Sequence, residues 1–242
     1  MSQLFISDLH LMEERPDITR AFLTFLETKA ASADALYILG DFFEVWIGDD
    51  HDTPFNRSII DALASLDTGK FLMHGNRDFL LGERFCEQVD AALLNYPTVL
   101  SLDGRPALLM HGDSLCTRDV EYMKARTMLR NPAVQADLLS KSIDERLMIA
   151  QGARAQSKDH TRETAEDIMD VTPEEVVREM QDHRVDLLIH GHTHRPAVHD
   201  LEVNGLPAQR IVLGDWDTHG WYLEAAGGSL DLVSFPISPA ST

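Results

Sequence analysis

Basic residues are scarce in this chain. Twenty-one lysines and arginines face forty aspartates and glutamates over 242 residues, a formal net charge of −19. A surface of that sign repels a polyanion, so sequence-independent nucleic-acid binding is excluded and no nucleic-acid partner is expected. Cysteine is nearly absent: Cys86 and Cys116 are the only two, too few for a disulfide framework and typical of a reducing compartment. No apolar run reaches the roughly 18 residues of a membrane span. The N-terminus lacks the basic stretch, apolar core and small-residue cleavage site of a signal peptide, so a cytoplasmic protein is expected. There is no internal repeat and no low-complexity tract. With 44% hydrophobic and 25% charged residues, disorder is excluded as the main description. The length allows one large domain or two small ones, and no obligate protein partner is inferred.

Apolar runs of strand length recur at Leu4–Ile6, Ala35–Leu39, Phe71–Met73, Ala107–Met110, Leu187–Ile189 and Ile211–Leu213. Helix-period stretches lie between several of them, at Ile18–Ala30, Asn56–Leu66 and Glu174–His183. The alternation predicts an α/β layer architecture. Towards the end, Val198–Val203, Gln209–Leu213, Trp221–Glu224 and Leu230–Phe235 are punctuated by Asn204-Gly205 and Gly227-Gly228, which predicts antiparallel hairpins and then a frayed tail over Pro236–Thr242. One segment breaks the pattern. From Arg118 to Arg162 there is no strand signal, and Leu138, Leu139, Ile143, Leu147 and Ala150 fall at helical spacing. Here nine Lys/Arg outnumber six Asp/Glu, against the trend of the chain. A mostly helical, locally basic insertion is expected.

Five motifs sit at the ends of predicted strands: Asp8-Leu9-His10, Gly40-Asp41, Gly75-Asn76-Arg77-Asp78, His111-Gly112-Asp113 and Gly191-His192-Thr193-His194. Ligands bind at the carboxyl ends of strands in open α/β sheets. Residues two apart in extended chain share a side, so Asp8 with His10, and His192 with His194, can each reach one ion together. Carboxylate, imidazole and amide ligands suit Mn, Fe or Zn. Six or seven ligands are too many for one catalytic ion with open positions and fit two, roughly 3.5–4 Å apart. His51, His183, His199 and His219 carry no such signal, and His74 and His190 read as structural.

This ordered set resembles the calcineurin-like metallophosphoesterase superfamily, matched at Asp8/His10, Asp41 with Glu44, Asn76/Asp78, His111 and His192/His194. The resemblance implies a four-layer α/β/β/α sandwich of two mixed sheets, one domain over residues 1–242, with a helical cap inserted at 118–170. It further implies that Asp8, His10, Asp41 and His194 hold one ion, and that Asp41, Asn76, His111 and His192 hold the other. Asp41 would bridge, and a hydroxide activated by the two ions would attack phosphorus.

Arg77 stands where many superfamily members carry a histidine that protonates the leaving oxygen. Arginine cannot give up a proton at working pH, but it clamps phosphate through two parallel hydrogen bonds. A leaving group that is already a weak base, such as a phosphate monoester with its second pKa near 6, then becomes the better substrate. That favours pyrophosphate cleavage. Over the insertion, Met123, Met128, Leu129, Leu138, Leu139, Ile143, Leu147 and Met148 offer an apolar lining that could take acyl chains.

Longer strings narrow the resemblance. ALYILGDFFEVWIGDD (residues 35–50), HGNRDFLLG (74–82), MHGDSLCT (110–117) and LIHGHTHRPAV (188–198) are similar to the bacterial UDP-2,3-diacylglucosamine diphosphatase family of lipid A biosynthesis. This implies hydrolysis of UDP-2,3-diacylglucosamine to UMP and 2,3-diacylglucosamine 1-phosphate by attack on the α-phosphorus. It also implies two Mn²⁺ ions and peripheral contact with the cytoplasmic face of the inner membrane. Substrate contacts are then expected from Asn76, Arg77, Asp119, Arg154, Ser157, Lys158 and His192. Thr161 and Thr164 stand where the family has a substrate-contacting Asn and Lys. Trp46 and Gly48-Asp49-Asp50 match the family, are given no chemical role and are assigned to structure; Glu44 is assigned to orienting a ligand. Two other readings are weighed against this one. They are a dimetal phosphoesterase acting on a soluble nucleotide, for which the apolar insertion has no use, and a non-catalytic scaffold, which would have lost ligands.

Overall fold

The structure, a computed structural model, describes residues 2–163 and 168–239, and in one helix omits the side chains of 156 and 158–163. Two mixed sheets face each other. The first has β1 (Ser2–Ile6), β2 (Ala35–Leu39), β3 (Gly69–Met73) and β4 (Ala91–Leu93) in parallel, extended by antiparallel β10 (His219–Ala226) and β11 (Ser229–Pro236), in the order β11-β10-β1-β2-β3-β4. The second has the order β5-β6-β7-β9-β8, built from β5 (Thr98–Leu102), β6 (Arg105–Leu109), β7 (Leu187–His190), β8 (Ala197–Val203) and β9 (Leu206–Val212). The two terminal hairpins are antiparallel as expected, and they divide between the sheets.

The period of two along each strand sorts the apolar residues into layers. Phe5, Tyr37, Leu39 and Met73 point between the sheets, against Leu109, Leu187, Ile189 and Ile211. Their neighbours Leu4, Ile6, Leu36, Ile38 and Leu72 point outward, into a core shared with α1 (Pro16–Thr28), α2 (Pro54–Ala64) and α3 (Glu83–Val89). On the far side, Leu108 and Leu188 meet Val176 and Met180 of α7 (Pro173–Asp182). The result is the four-layer α/β/β/α sandwich. Strands buried on both faces read as unbroken apolar runs, which is why these were legible.

Three elements were not. β4 has three residues, α3 seven, and β5 is a half-exposed edge strand, Thr98–Leu102. The tail also departs from expectation. Pro236 ends β11, and Ile237 is buried with its N–H donating 2.9 Å to the Thr218 carbonyl. In the basic segment the periodic stretch around Leu138–Ala150 is not one helix. It divides into α4 (Val120–Leu129), α5 (Pro132–Leu139) and α6 (Ile143–Glu163). A capping box starts α6: Ser142 N donates to Glu145 Oε2 at 2.9 Å and Glu145 N donates back to Ser142 Oγ at 3.3 Å.

Four arginines of this segment attach it to the body of the protein. Arg126 Nε donates 2.8 Å to Asp113, and Arg130 Nη2 donates 2.9 Å to the Gly75 carbonyl. Buried Arg146 donates 2.7 Å to both the Ile47 carbonyl and Asp50, and Arg154 Nη2 donates 2.5 Å to Glu44. The Trp46–Asp50 string thereby acquires its reasons. Asp50 receives Arg146, while Asp49 accepts Trp46 Nε1 at 2.9 Å and the N–H groups of Gly82 and Phe85 at 3.0 Å each, which starts α3. Asp49→Ala orphans all three donors and should cost about 2–3 kcal/mol of stability in chemical denaturation.

Candidate metal centre

Five strands running in parallel within their sheets, β1, β2, β3, β6 and β7, end at one rim. Asp8, Asp41, Asn76, His111 and His192 follow these ends directly. His10 and His194 come two residues later. Asp8, Asp41 and His111 are fully or almost fully buried. The backbone at the rim is unusual: Asp8, His10, Asp41, His192 and His194 all have φ between 49° and 69°. Non-glycine residues in that region are strained and persist only where their surroundings impose them. Glycine supplies the space. A Cβ on Gly75 would lie 2.1 Å from Asp41 N, and one on Gly191 would lie 2.2 Å from Asp8 Oδ2.

The side chains converge in two groups. His10 Nε2 and His194 Nε2 are 3.3 Å apart, His194 Nε2 lies 3.5 Å from Asp8 Oδ1, and His10 Nε2 lies 4.0 Å from Asp41 Oδ2. On the other side, His111 Nε2 and His192 Nδ1 both lie 3.0 Å from Asn76 Oδ1, and His111 Nε2 is 3.7 Å from Asp41 Oδ1. Asp41 touches both groups. All seven expected ligands are thus brought together at one rim.

The surroundings fix how these groups face. His111 Nδ1–H donates to the Leu39 carbonyl at 2.9 Å, leaving Nε2 free for the centre. His10 Nδ1 lies 2.8 Å from Glu44, which orients it likewise. Asp8 Oδ2 accepts Ser7 Oγ at 2.5 Å and His192 N at 2.9 Å, while buried Asp8 Oδ1 has no hydrogen-bond partner and faces the histidines. Asp78 serves the backbone: its two oxygens accept Gly75 N at 2.7 Å and Phe42 N at 2.8 Å. A buried carboxylate oxygen without a donor, beside two imidazole nitrogens turned toward each other, is a cation site by its donor set. Carboxylate, imidazole and amide fit a divalent ion of intermediate hardness.

The ionisable groups of the site shift one another strongly. Burial pushes the Asp8 carboxyl up, but the His194 imidazole 3.5 Å from it, with the charges of His111 and His10, outweighs burial and holds it well below the ordinary range. Burial raises Asp41. It lowers His194, but the pairing with Asp8 and the charges of Asp215 and Asp41 prevail and lift that imidazole to about 9. Burial lowers His192 to about 3, keeping it neutral.

Other expected residues lie around this centre. Arg77 is half-buried, its N–H donating 2.8 Å to Asp41 Oδ1, and its Nε is buried without a partner. Asp119 is buried and caps α4, accepting Tyr122 N at 3.0 Å. Arg154 and Ser157 are partly buried on α6. The side chains of Lys158 and Thr161, and the whole of Thr164, lie outside the described residues. Of the expected acyl lining, Met128, Leu139 and Met148 are exposed, joined by Val120, Ile149 and Ile168. Leu138 instead packs on the core against the first sheet. Sequence reasoning missed Tyr122, whose ring centre is 5.4 Å from that of His192 and whose hydroxyl donates to Asp113 at 3.4 Å. A tyrosine on an unmarked helix carries no signal. Among the described residues no helix is long and apolar enough to cross a membrane.

The model of the calcineurin-like phosphoesterase family matches residues 1–196. The chain is 60% identical to a protein of Marinobacter nauticus over 93% of this chain and 94% of that one. It is 58% identical to one of Ectopseudomonas mendocina over 98% and 99%, and 55% identical to one of Pseudomonas aeruginosa over 98% and 100%. All three are named UDP-2,3-diacylglucosamine hydrolase.

A cation entering this site must displace the proton that His194 holds near neutrality. Below pH 9 each unit of falling pH should therefore weaken cation binding by up to about tenfold, with proton release on binding. Titration calorimetry of the metal-free protein in two buffers of different ionisation enthalpy checks this; equal heats would contradict it.

Proposed function

The chain belongs to the calcineurin-like phosphoesterase family, and from that membership we propose that it hydrolyses UDP-2,3-diacylglucosamine at the pyrophosphate, releasing UMP and 2,3-diacylglucosamine 1-phosphate. The observation that carries the reading is 55–60% identity over nearly the whole chain to proteins named for that substrate. Asp8, His10, Asp41 and His194 would hold one ion and Asp41, Asn76, His111 and His192 the other, with Mn²⁺ the proposed metal. Such ions acidify a water toward neutrality and neutralise charge on a phosphoryl group.

The chain's own groups do the remainder. Arg77 lies on the loop that carries Asn76, with an uncommitted Nε. It receives the departing sugar phosphate, a weak base that needs no proton donor, so its pairing geometry matters more than acidity. Neutral His192 and the amide of Asn76 border the same phosphate. The α4–α6 segment, within the proposed cap at 118–170, offers exposed Val120, Met128, Leu139 and Met148 to the acyl chains. Asp119, Arg154, Ser157, Lys158, Thr161 and Thr164 would approach the sugar and its acyl links. Arg154 reaches substrate only by leaving Glu44. Exposed apolar side chains on an acidic protein suit shallow, peripheral contact with a membrane, and the cytoplasmic face of the inner membrane is the proposed place.

Metal-stripped protein mixed with UDP-2,3-diacylglucosamine should release UMP only when Mn²⁺ is restored. UDP among the products would place the cut at the sugar and overturn the reading; aryl phosphodiester cleavage alone would move it to a soluble substrate. His10→Ala should reduce turnover by at least about a hundredfold while leaving the fold's circular dichroism intact. Arg77→Ala should slow the pyrophosphate substrate at least about tenfold more than an aryl phosphodiester, because the clamp acts on a phosphate leaving group; equal losses would refute the clamp.

A further inference from the structure

A nucleotide joined to a lipid by a pyrophosphate needs three different surroundings, and this inference rests on the substrate class proposed above. The apolar end has the exposed side chains of α4–α6 and the pyrophosphate has the metal centre. The uridine end is polar and neutral, and neither place suits it.

A recess of about 230 Å³ lies against the Gly191–His194 loop, lined among others by Asp170, Thr193, Arg195, His199 and Arg210. Arg210 projects from β9 and is half-buried. Its guanidinium has no hydrogen bond or ion pair among the described residues, and its Nη1 is buried without a partner. The neighbouring carboxylate is already engaged: Asp170 accepts Arg195 at 2.8 Å and its other oxygen accepts Val171 N at 2.7 Å. Burial holds the Arg210 guanidinium below its usual pKa, outweighing the Asp170 charge. Thr193 Oγ1 is likewise buried and unpartnered. Arg126, Arg146 and Arg154, by contrast, each meet a carboxylate. A half-buried guanidinium and a hydroxyl left unsatisfied in one recess are costly unless a ligand satisfies them.

We propose that this recess binds the uridine half of the substrate. Arg210 and Thr193 donate to the carbonyl oxygens of the base, and Asp170, whose oxygens each keep a second acceptor site beyond Arg195 and Val171 N, accepts from its N–H. Uracil presents two acceptors flanking one donor, which the guanidinium, hydroxyl and carboxylate complement. Thr193 sits between two expected metal ligands, His192 and His194. A base contacting it therefore touches the loop that carries those ligands, which suits the short nucleoside tether.

The test uses the full-length, Mn²⁺-loaded protein and the Arg210→Gln variant, which removes the charge and keeps a polar side chain. Calorimetry is run with UMP and, separately, with inorganic phosphate. UMP affinity and the KM for UDP-2,3-diacylglucosamine should worsen about tenfold while kcat changes less than twofold, because Arg210 would contact the base and not the reacting phosphorus. Arg210→Lys, which keeps the charge but not the planar fork, should give an intermediate loss and guards against a folding defect. Unchanged UMP binding in both variants would overturn the proposal. So would an equal loss of phosphate affinity, which would make the recess a plain anion site, or a parallel loss on an aryl phosphodiester, which would mean a damaged metal loop. Wild-type turnover of the lipid nucleotide tests the substrate reading separately: if it fails, that reading falls, and UMP binding by the variants still decides the recess.

Discussion

The site depends on two carboxylates, Asp8 and Asp41, buried at the ends of adjacent parallel strands. Placing like charges there is unfavourable by burial and by mutual repulsion, and the chain adds left-handed backbone at both. What surrounds them follows from that constraint. Gly75 and Gly191 have no Cβ because one would run into Asp41 or Asp8. Ser7 and His192 N fill one oxygen of Asp8 and leave the other open. Asp78 ties the Gly75 turn to Phe42, so that β2 and β3 end in register with each other. A protein that bears this much strain around unsatisfied ligand atoms is preorganised for cations.

The helical segment over the site is attached by the same logic with the sign reversed. An acidic body holds a basic helical segment through Asp113, Glu44, Asp50 and backbone carbonyls. Asp113 is fully buried, and the positive charges around it, among them His111, Arg126 and Arg130, outweigh the burial that would raise its carboxyl, holding it low. Because these tethers are polar and directional, they position the segment without closing its outer apolar face, where Met128 and Met148 stay exposed.

Much of this was legible in the sequence for a physical reason. Strands buried on both faces cannot hide, and a ligand two residues after another at a strand end leaves a short, regular mark. Asp8/His10 and His192/His194 are such marks. The positive charge of the helical segment was visible as well, but its use was not: attraction of a phosphorylated substrate and docking onto carboxylates leave the same composition. Short or half-exposed elements such as β4 and β5 carry too few apolar residues to show a period. Glu44 was recognisable as a partner of a ligand, whereas its second bond, to Arg154, joins residues 110 apart and no local pattern records it. Arg210 and Thr193 were silent for a similar reason, since an unsatisfied donor is a property of the folded neighbourhood.

Glu44 is held at once by His10 in the centre and by Arg154 on α6. Two equilibria therefore share one carboxylate. Whatever draws Arg154 away from Glu44 changes the basicity of the imidazole facing the cations. By thermodynamic reciprocity, any ligand that favours one partner of Glu44 is coupled to the other partner by the same free energy. His10 of the centre and Arg154 of α6 are in this sense joined through one carboxylate.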